Sequence, residues 1–181
     1  MPEGALLTYA DLAAMPDDGM RREIIDGTLV VSPSPRIRHQ MVGGRLHFAF
    51  QRQLLGPAQD RILWDVNLVL GEHDIVEPDI LFVTDDQAGI VEDVYVRGIP
   101  ALVIEVLSEP RLDRVRKRDL YARYGVPEYW IADPDADRIE VYRLADGAYG
   151  KPEIFEPGDT LTFEPIPGLA IDVAAVFPQR G

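Results

Sequence analysis

The hydrophobic pattern changes period many times along this chain, and each change marks a short element. Thr8-Tyr-Ala-Asp-Leu-Ala-Ala-Met15 predicts a brief N-terminal helix with Thr8 as its N-cap. Two apolar runs, Glu23-Ile-Ile and Thr28-Leu-Val-Val, meet at Asp26-Gly27 and predict a hairpin. The stretch 36–55 is long enough for a helix ending before Gly56-Pro57. Its Gly43-Gly44 pair costs about 1 kcal/mol per glycine in propensity, which close packing on a sheet would offset. Positions 62–71 alternate apolar and polar, as an antiparallel strand with one wet face does; 74–86 and 99–110 hold near-continuous apolar runs, the mark of strands covered on both faces. A helix over 110–124 follows, with Ser108 as cap, Pro110 in the first turn, Gly125 at its end and Pro127 beyond. Positions 128–134 and 138–144 read as strands, the second alternating, and the tail adds turns, a short strand or two and a final helical turn. This order predicts an α/β fold: a central mixed β-sheet flanked by helices, with an N-terminal β-hairpin and extra C-terminal strands. A single domain over 1–181 is expected.

Composition narrows the function classes. No apolar run approaches the roughly 18 residues of a membrane span, and the first residues lack the basic and apolar regions of a signal peptide. There is no cysteine, which excludes disulfides, thiolate metal sites and a cysteine nucleophile and makes the cytoplasm the expected compartment. Net charge is −13, a poor balance for non-specific nucleic-acid binding, which depends on neutralising phosphates. Basic residues do cluster locally at Arg111, Arg114, Arg116, Lys117 and Arg118. Only Lys117 and Lys151 are lysine among 18 basic residues, so the chain uses arginine almost everywhere else.

Two carboxylates stand where the pattern demands apolar residues. Glu105 lies inside Ala101-Leu-Val-Ile-Glu-Val-Leu107, and Asp79 follows Pro78 and heads Ile80-Leu-Phe-Val83. An isolated ionised carboxylate there is expensive unless it is paired, hydrogen-bonded or bound to metal. On adjacent strands the two would lie about 5 Å apart, and a hard divalent cation relieves their repulsion. The bland alternative puts one at a strand end in water and pairs the other with arginine. Asp113 and Lys117 are spaced for an i,i+4 ion pair on a helix surface, yet lysine in so arginine-rich a chain hints at a task for a compact ammonium.

These residues, with Glu23-Ile-Ile-Asp-Gly27, the Ser32-Pro-Ser-Pro35 to His39 segment, Glu105-Val-Leu-Ser108 and the distinctive Gly125-Val-Pro-Glu-Tyr-Trp-Ile-Ala-Asp-Pro134, resemble the Uma2-like family. That family, also called DUF820, is placed in the PD-(D/E)XK nuclease superfamily, and the resemblance covers roughly residues 20–143. It implies a restriction-endonuclease-like core and a metal-dependent endonuclease acting on DNA, with homodimers expected. Asp79, Glu105 and Lys117 would be catalytic, and Asp79, Glu105 and the Val106 carbonyl would hold Mg²⁺ or Mn²⁺. Glu23, His39 and Asp113 are supporting candidates. The superfamily's lysine two positions after the glutamate is Leu107 here, so the resemblance assigns that role to Lys117 on the next helix; the Ser108–Asp113 stretch is also shorter than the family's usual form.

Glu23 has a second reading, as a hairpin support paired with arginine, and His39 one as a cap or surface residue. Tyr121, Tyr124, Tyr129 and Trp130 fit the core better than base stacking. The basic cluster on the second long helix could meet flanking phosphates. Two further functions stay open: a non-catalytic dimeric relative of the fold, and a metal-dependent hydrolase of a small phosphorylated substrate, which an acidic surface tolerates better.

Overall fold

A computed structural model describes residues 5–54 and 61–179. In chain order the elements are α1 (Tyr9–Ala13), β1 (Arg21–Ile25), β2 (Thr28–Ser32), α2 (Ile37–Gln53), β3 (Ile62–Trp64), β4 (Leu68–Gly71), β5 (Asp74–Val76), β6 (Ile80–Phe82), β7 (Val96–Arg97) and β8 (Leu102–Val106). They continue with a π-helical turn (Leu112–Lys117) running into α3 (Arg118–Tyr124). After it come β9 (Glu128–Asp133), β10 (Arg138–Ala145), β11 (Ala148–Tyr149), β12 (Glu153–Phe155), β13 (Thr160–Leu161), β14 (Ile171–Asp172) and α4 (Val173–Val176).

The expected punctuation is largely in place. The Thr8 N–H and hydroxyl both donate to Asp11 at the start of α1. Asp26 and Gly27 take left-handed backbone angles, as a tight two-residue hairpin turn demands, and join β1 to β2. Gly125, with φ of 85°, ends α3. The helix end expected at Gly56-Pro57 lies outside the described residues; α2 closes at Gln53.

Strands fall into a mixed seven-stranded sheet and a five-stranded sheet, plus a small β13–β14 pair. The larger sheet runs β11-β10-β9-β8-β6-β3, with β12 also on β10; β8 is parallel to β9 and antiparallel to β6. The smaller runs β2-β1-β5-β4-β7. This corrects the reading of 62–71 and of 74–86 as single strands. Asp65 adopts a left-handed conformation that ends β3, and Glu77-Pro78-Asp79 separates β5 from β6. Each stretch therefore supplies one strand to each sheet. β10 is not the alternating strand expected, because Ile139, Glu140, Val141 and Tyr142 are all buried.

The larger sheet is covered on both faces. Ile80, Phe82, Leu102, Ile104 and Val106 pack with Val42, Leu46 and Phe50 of α2 and with Phe163, Val173 and Val176 of the tail. The alternate residues Leu81, Val103 and Ile131 pack with Ile25, Leu68 and Val76 of the smaller sheet and with Leu120 and Tyr121 of α3. Glu105 shares this second face with Val103, which places a carboxylate between the two sheets and beneath α3.

Close helix–sheet approach explains one of the paired glycines. A Cβ on Gly43 would stand 2.7 Å from the Trp64 ring, whereas one on Gly44 meets nothing within 4 Å. Gly43→Ala is therefore expected to lose about 1–3 kcal/mol by overpacking. Gly44→Ala should gain up to about 1 kcal/mol in helix propensity. Urea unfolding of the two variants checks this, and equal shifts would show that the approach at Gly43 is not constraining.

Candidate active site

Strand register brings the two anomalous carboxylates together. Ile80 pairs with Ile104 across β6 and β8, so Asp79, just before β6, and Glu105, just after Ile104, sit at the same end of that ladder, where the charge of Asp79 acts on Glu105. Asp79 sits where the chain crosses from one sheet to the other. Its Oδ2 accepts the Val106 N–H at 2.7 Å and lies 3.2 Å from His39 Nε2, while Oδ1 accepts Arg21 Nη1 at 2.8 Å. Arg21 opens β1 and also reaches Asp65 at 2.7 Å and Glu77 at 3.5 Å.

Glu105 is bound from the other side. Its Oε1 accepts Lys117 Nζ at 3.0 Å and the Tyr121 hydroxyl at 2.9 Å. Lys117 Nζ also lies 2.8 Å from Glu23 Oε1, which takes the Glu77 N–H as well. Glu23 Oε2 is buried with no hydrogen-bond partner among the described residues. Glu23, Asp79, Glu105 and Lys117 are each no more than 2% exposed, and His39 is 8% exposed.

The environments drive the two carboxylates apart. Burial favours the neutral form of Asp79, but the His39 hydrogen bond, the Arg21 charge and the Val106 N–H outweigh it and hold the carboxyl at about 2. Burial dominates at Glu105; Lys117 offsets it only in part, and the charges of Asp79, Asp113 and Glu23 push the same way, raising the carboxyl to about 8. For Lys117 burial opposes the charged form, but Glu105 and Glu23 prevail and its affinity for a proton rises above the ordinary value.

The supporting candidates separate. Glu23 and His39 join the cluster, Glu23 through lysine rather than an arginine. Asp113 is buried, but it does not form the expected surface pair with Lys117. The π-helical turn displaces the two from simple i,i+4 stacking, and π-turns recur at functional sites. The Asp113 carboxylate instead accepts the Ser108 and Glu109 N–H groups, each at 3.2 Å, so Asp113 ties down the loop before the helix, and Ser108 is not the side-chain cap expected for that helix. Burial, largely, raises its pKa.

The basic cluster is mostly committed inside the molecule, contrary to the expectation of free phosphate contacts. Arg114 bridges buried Glu140 and Asp133 and Arg116 donates to the Ile25 carbonyl, whereas Arg118 pairs with Asp119 at the surface. Tyr121, Tyr129 and Trp130 are fully buried core residues. Sequence reasoning missed Arg21. Its signal was period-two spacing, which puts Arg21 on the same side of β1 as Glu23.

The cluster meets solvent through two cavities. One of about 560 Å³ is lined by Glu105, Lys117 and Asp113, with walls from 30–36, 107–110 and Leu112. The other, about 460 Å³, is lined by Asp79, Glu77, Asp65 and Trp64. Arg21, His39 and Pro35 line both.

The Uma2 family model, described as "Putative restriction endonuclease", matches residues 9–174, which include every residue of the cluster. The chain belongs to the Uma2 family. A crystal structure of "a putative nuclease belonging to DUF820 from Anabaena variabilis ATCC 29413" superimposes on this Uma2 protein with a TM-score of 0.76. The two are 19% identical, the match covering 94% of this chain and 97% of the other. That likeness shows a shared fold. Comparison with curated proteins finds no match.

The donor chemistry of the Uma2 cluster fits a hard cation. Two carboxylates sit at the same end of the β6–β8 ladder, and among the described residues the hydrogen bonds of Glu105 use Oε1 and Glu23 Oε2 is a buried oxygen without a partner. Among the described residues no three His, Asp or Glu side chains already converge as ligands. Mg²⁺ suits such a set, being commonly held by one or two carboxylates plus water and substrate phosphate. None of the helices among the described residues is long and apolar enough to cross a membrane.

Proposed function

We propose that this Uma2 protein hydrolyses phosphodiester bonds in DNA with Mg²⁺ or Mn²⁺ as cofactor. The observation that carries the reading is Asp79 and Glu105 at the same end of the β6–β8 ladder with the Lys117 ammonium 3.0 Å from Glu105, in a buried cluster bordered by two cavities in a nuclease-family fold. Asp79, Glu105 and the Val106 carbonyl would hold the cation, which when bound neutralises charge on the phosphate and lowers the pKa of a water. Lys117, on the cavity wall, orients the attacking water or steadies charge developing on the phosphate. Asp79, kept ionised by His39 and Arg21, supplies a constant anionic ligand. Asp113 acts indirectly by fixing the Ser108–Glu109 backbone at the cavity edge.

One observation favours a smaller substrate: at −13, with Arg114 and Arg116 spent on internal partners and Arg118 paired with Asp119, the surface offers few cations to a long polyanion. A single experiment separates the readings. Mg²⁺ and Mn²⁺ are titrated by calorimetry into wild type, Asp79→Ala and Glu105→Ala, and the same samples are assayed for nicking of supercoiled plasmid and for hydrolysis of a p-nitrophenyl phosphodiester. Cation binding and nicking in wild type, both lost in the variants, support the nuclease. Ester hydrolysis without nicking transfers the reading to the small substrate, and absence of cation binding in wild type overturns the metal mechanism.

A further inference from the structure

We propose that Arg21 is a gate: its guanidinium occupies the cation position at Asp79 in the metal-free protein and moves to the substrate phosphate when a divalent cation takes its place. The inference deepens the metal-dependent reading above and rests on it.

Three observations carry it. First, Asp79 and Glu105 sit at the same end of the β6–β8 ladder yet line different cavities, and Arg21 lines both together with His39 and Pro35. A cation shared by the two carboxylates cannot be reached from one side while that partition holds. Second, Arg21 satisfies Asp79 directly, Nη1 to Oδ1 at 2.8 Å, so a cation entering at Oδ1 must displace it. Third, the other two partners that Arg21 holds at the same time as Asp79 line the Asp79 cavity. Asp65 holds Nη2 at 2.7 Å, its side chain 46% exposed, and Glu77 stands 3.5 Å from Nε. These contacts anchor the guanidinium at that cavity while it exchanges one anion for another.

The exchange keeps a cation on Asp79 throughout and adds one positive charge to the site, which the incoming phosphate offsets. One cation leaves the Asp79 carboxylate as another arrives, and the displaced guanidinium keeps a planar fork of donors that matches two phosphate oxygens. His39, on the other oxygen of Asp79, need not move. Arg21 is thus assigned a positioning role before the cation binds and a phosphate-binding role afterwards.

The test measures binding rather than turnover. Mg²⁺ is titrated by calorimetry into metal-free wild type, Arg21→Gln, Arg21→Lys and Asp79→Ala. Affinity of the same proteins for a short phosphodiester oligonucleotide is then measured with Ca²⁺ in place of Mg²⁺. Arg21→Gln is expected to bind Mg²⁺ about tenfold more tightly than wild type, because a charge-assisted hydrogen bond no longer has to be broken. It should bind the oligonucleotide about tenfold more weakly. Arg21→Lys keeps the charge and guards against loss of folding, which thermal melting monitors; it is expected to bind Mg²⁺ near wild-type strength while still losing oligonucleotide affinity. A general structural lesion would weaken both ligands, so weaker or unchanged Mg²⁺ binding in folded Arg21→Gln overturns the gate. Wild type that binds Mg²⁺ no better than Asp79→Ala overturns the metal reading itself.

Discussion

Lys117→Met is expected to lower folding stability by about 3–5 kcal/mol at pH 7 and, under the nuclease function proposed above, to abolish plasmid nicking. The ammonium is 2% exposed and lies within 3.0 Å of two carboxylates that are themselves buried. Methionine fills much of the volume, so the loss reflects charge rather than a cavity. Removing the cation leaves Glu23 and Glu105 in a low-dielectric space with the Tyr121 hydroxyl and the Glu77 N–H as their remaining donors. The variant should keep the pH dependence that the raised Glu105 carboxyl gives wild type, gaining stability as pH falls from 7 toward 5, because loss of Lys117 removes the one charge that lowers this carboxyl. Urea unfolding at pH 5 and 7 reads both effects. A loss below about 1 kcal/mol, with no gain in acid, would show that the triad contributes little to folding.

The metal-free wild type is itself expected to lose stability steadily between pH 4.5 and about 8. The Glu105 carboxyl, ordinarily near 4.5, is raised to about 8 by burial and by neighbouring carboxylates, against the partial offset of Lys117. The folded state therefore keeps a proton that the unfolded chain releases across this window. Stability is fully present below 4.5 and lost as pH rises through 8, on the order of 4 kcal/mol from this group. Asp113 and Glu77, raised mainly by burial, act in the same direction. Asp79 has the opposite sign: held at about 2, it contributes stability above its ordinary 3.8 that is lost only in strong acid, outside this window. Urea midpoints in EDTA at pH 5, 6, 7 and 8 should fall for wild type and stay nearer level for Glu105→Gln. A wild-type profile that is flat or rises with pH would contradict the placement of Glu105 as a buried, proton-holding acid.

Both predictions concern residues that the sequence marked as misfits. Glu105 interrupts an otherwise apolar strand, Asp79 heads another, and Lys117 is one of two lysines in a chain that prefers arginine. Misfits of this kind are legible because burial of a strand can be read locally, and a charge within it has to be accounted for. The fate of Arg111–Arg118 was not legible in the same way. A basic helix face looks alike whether its charges meet solvent, a ligand or buried acids such as Glu140 and Asp133.

What the sequence determined by itself was the set of local decisions. These were the Asp26-Gly27 hairpin, the caps at Thr8 and Gly125, the long helix over α2, and strands covered on both faces around Leu81 and Val103. Each depends on residues within a few positions of one another, where backbone sterics and hydrophobic period act. Only the tertiary structure decided that 62–71 and 74–86 divide between two sheets, because periodicity reports which face is buried and not which strand lies beside it. Only the tertiary structure brought Arg21 to Asp79 and Lys117 to Glu23, pairings 58 and 94 residues apart along the chain. The strength of a charge pair is set by distance and burial in the folded molecule, and neither is encoded in the local pattern from which the elements were read.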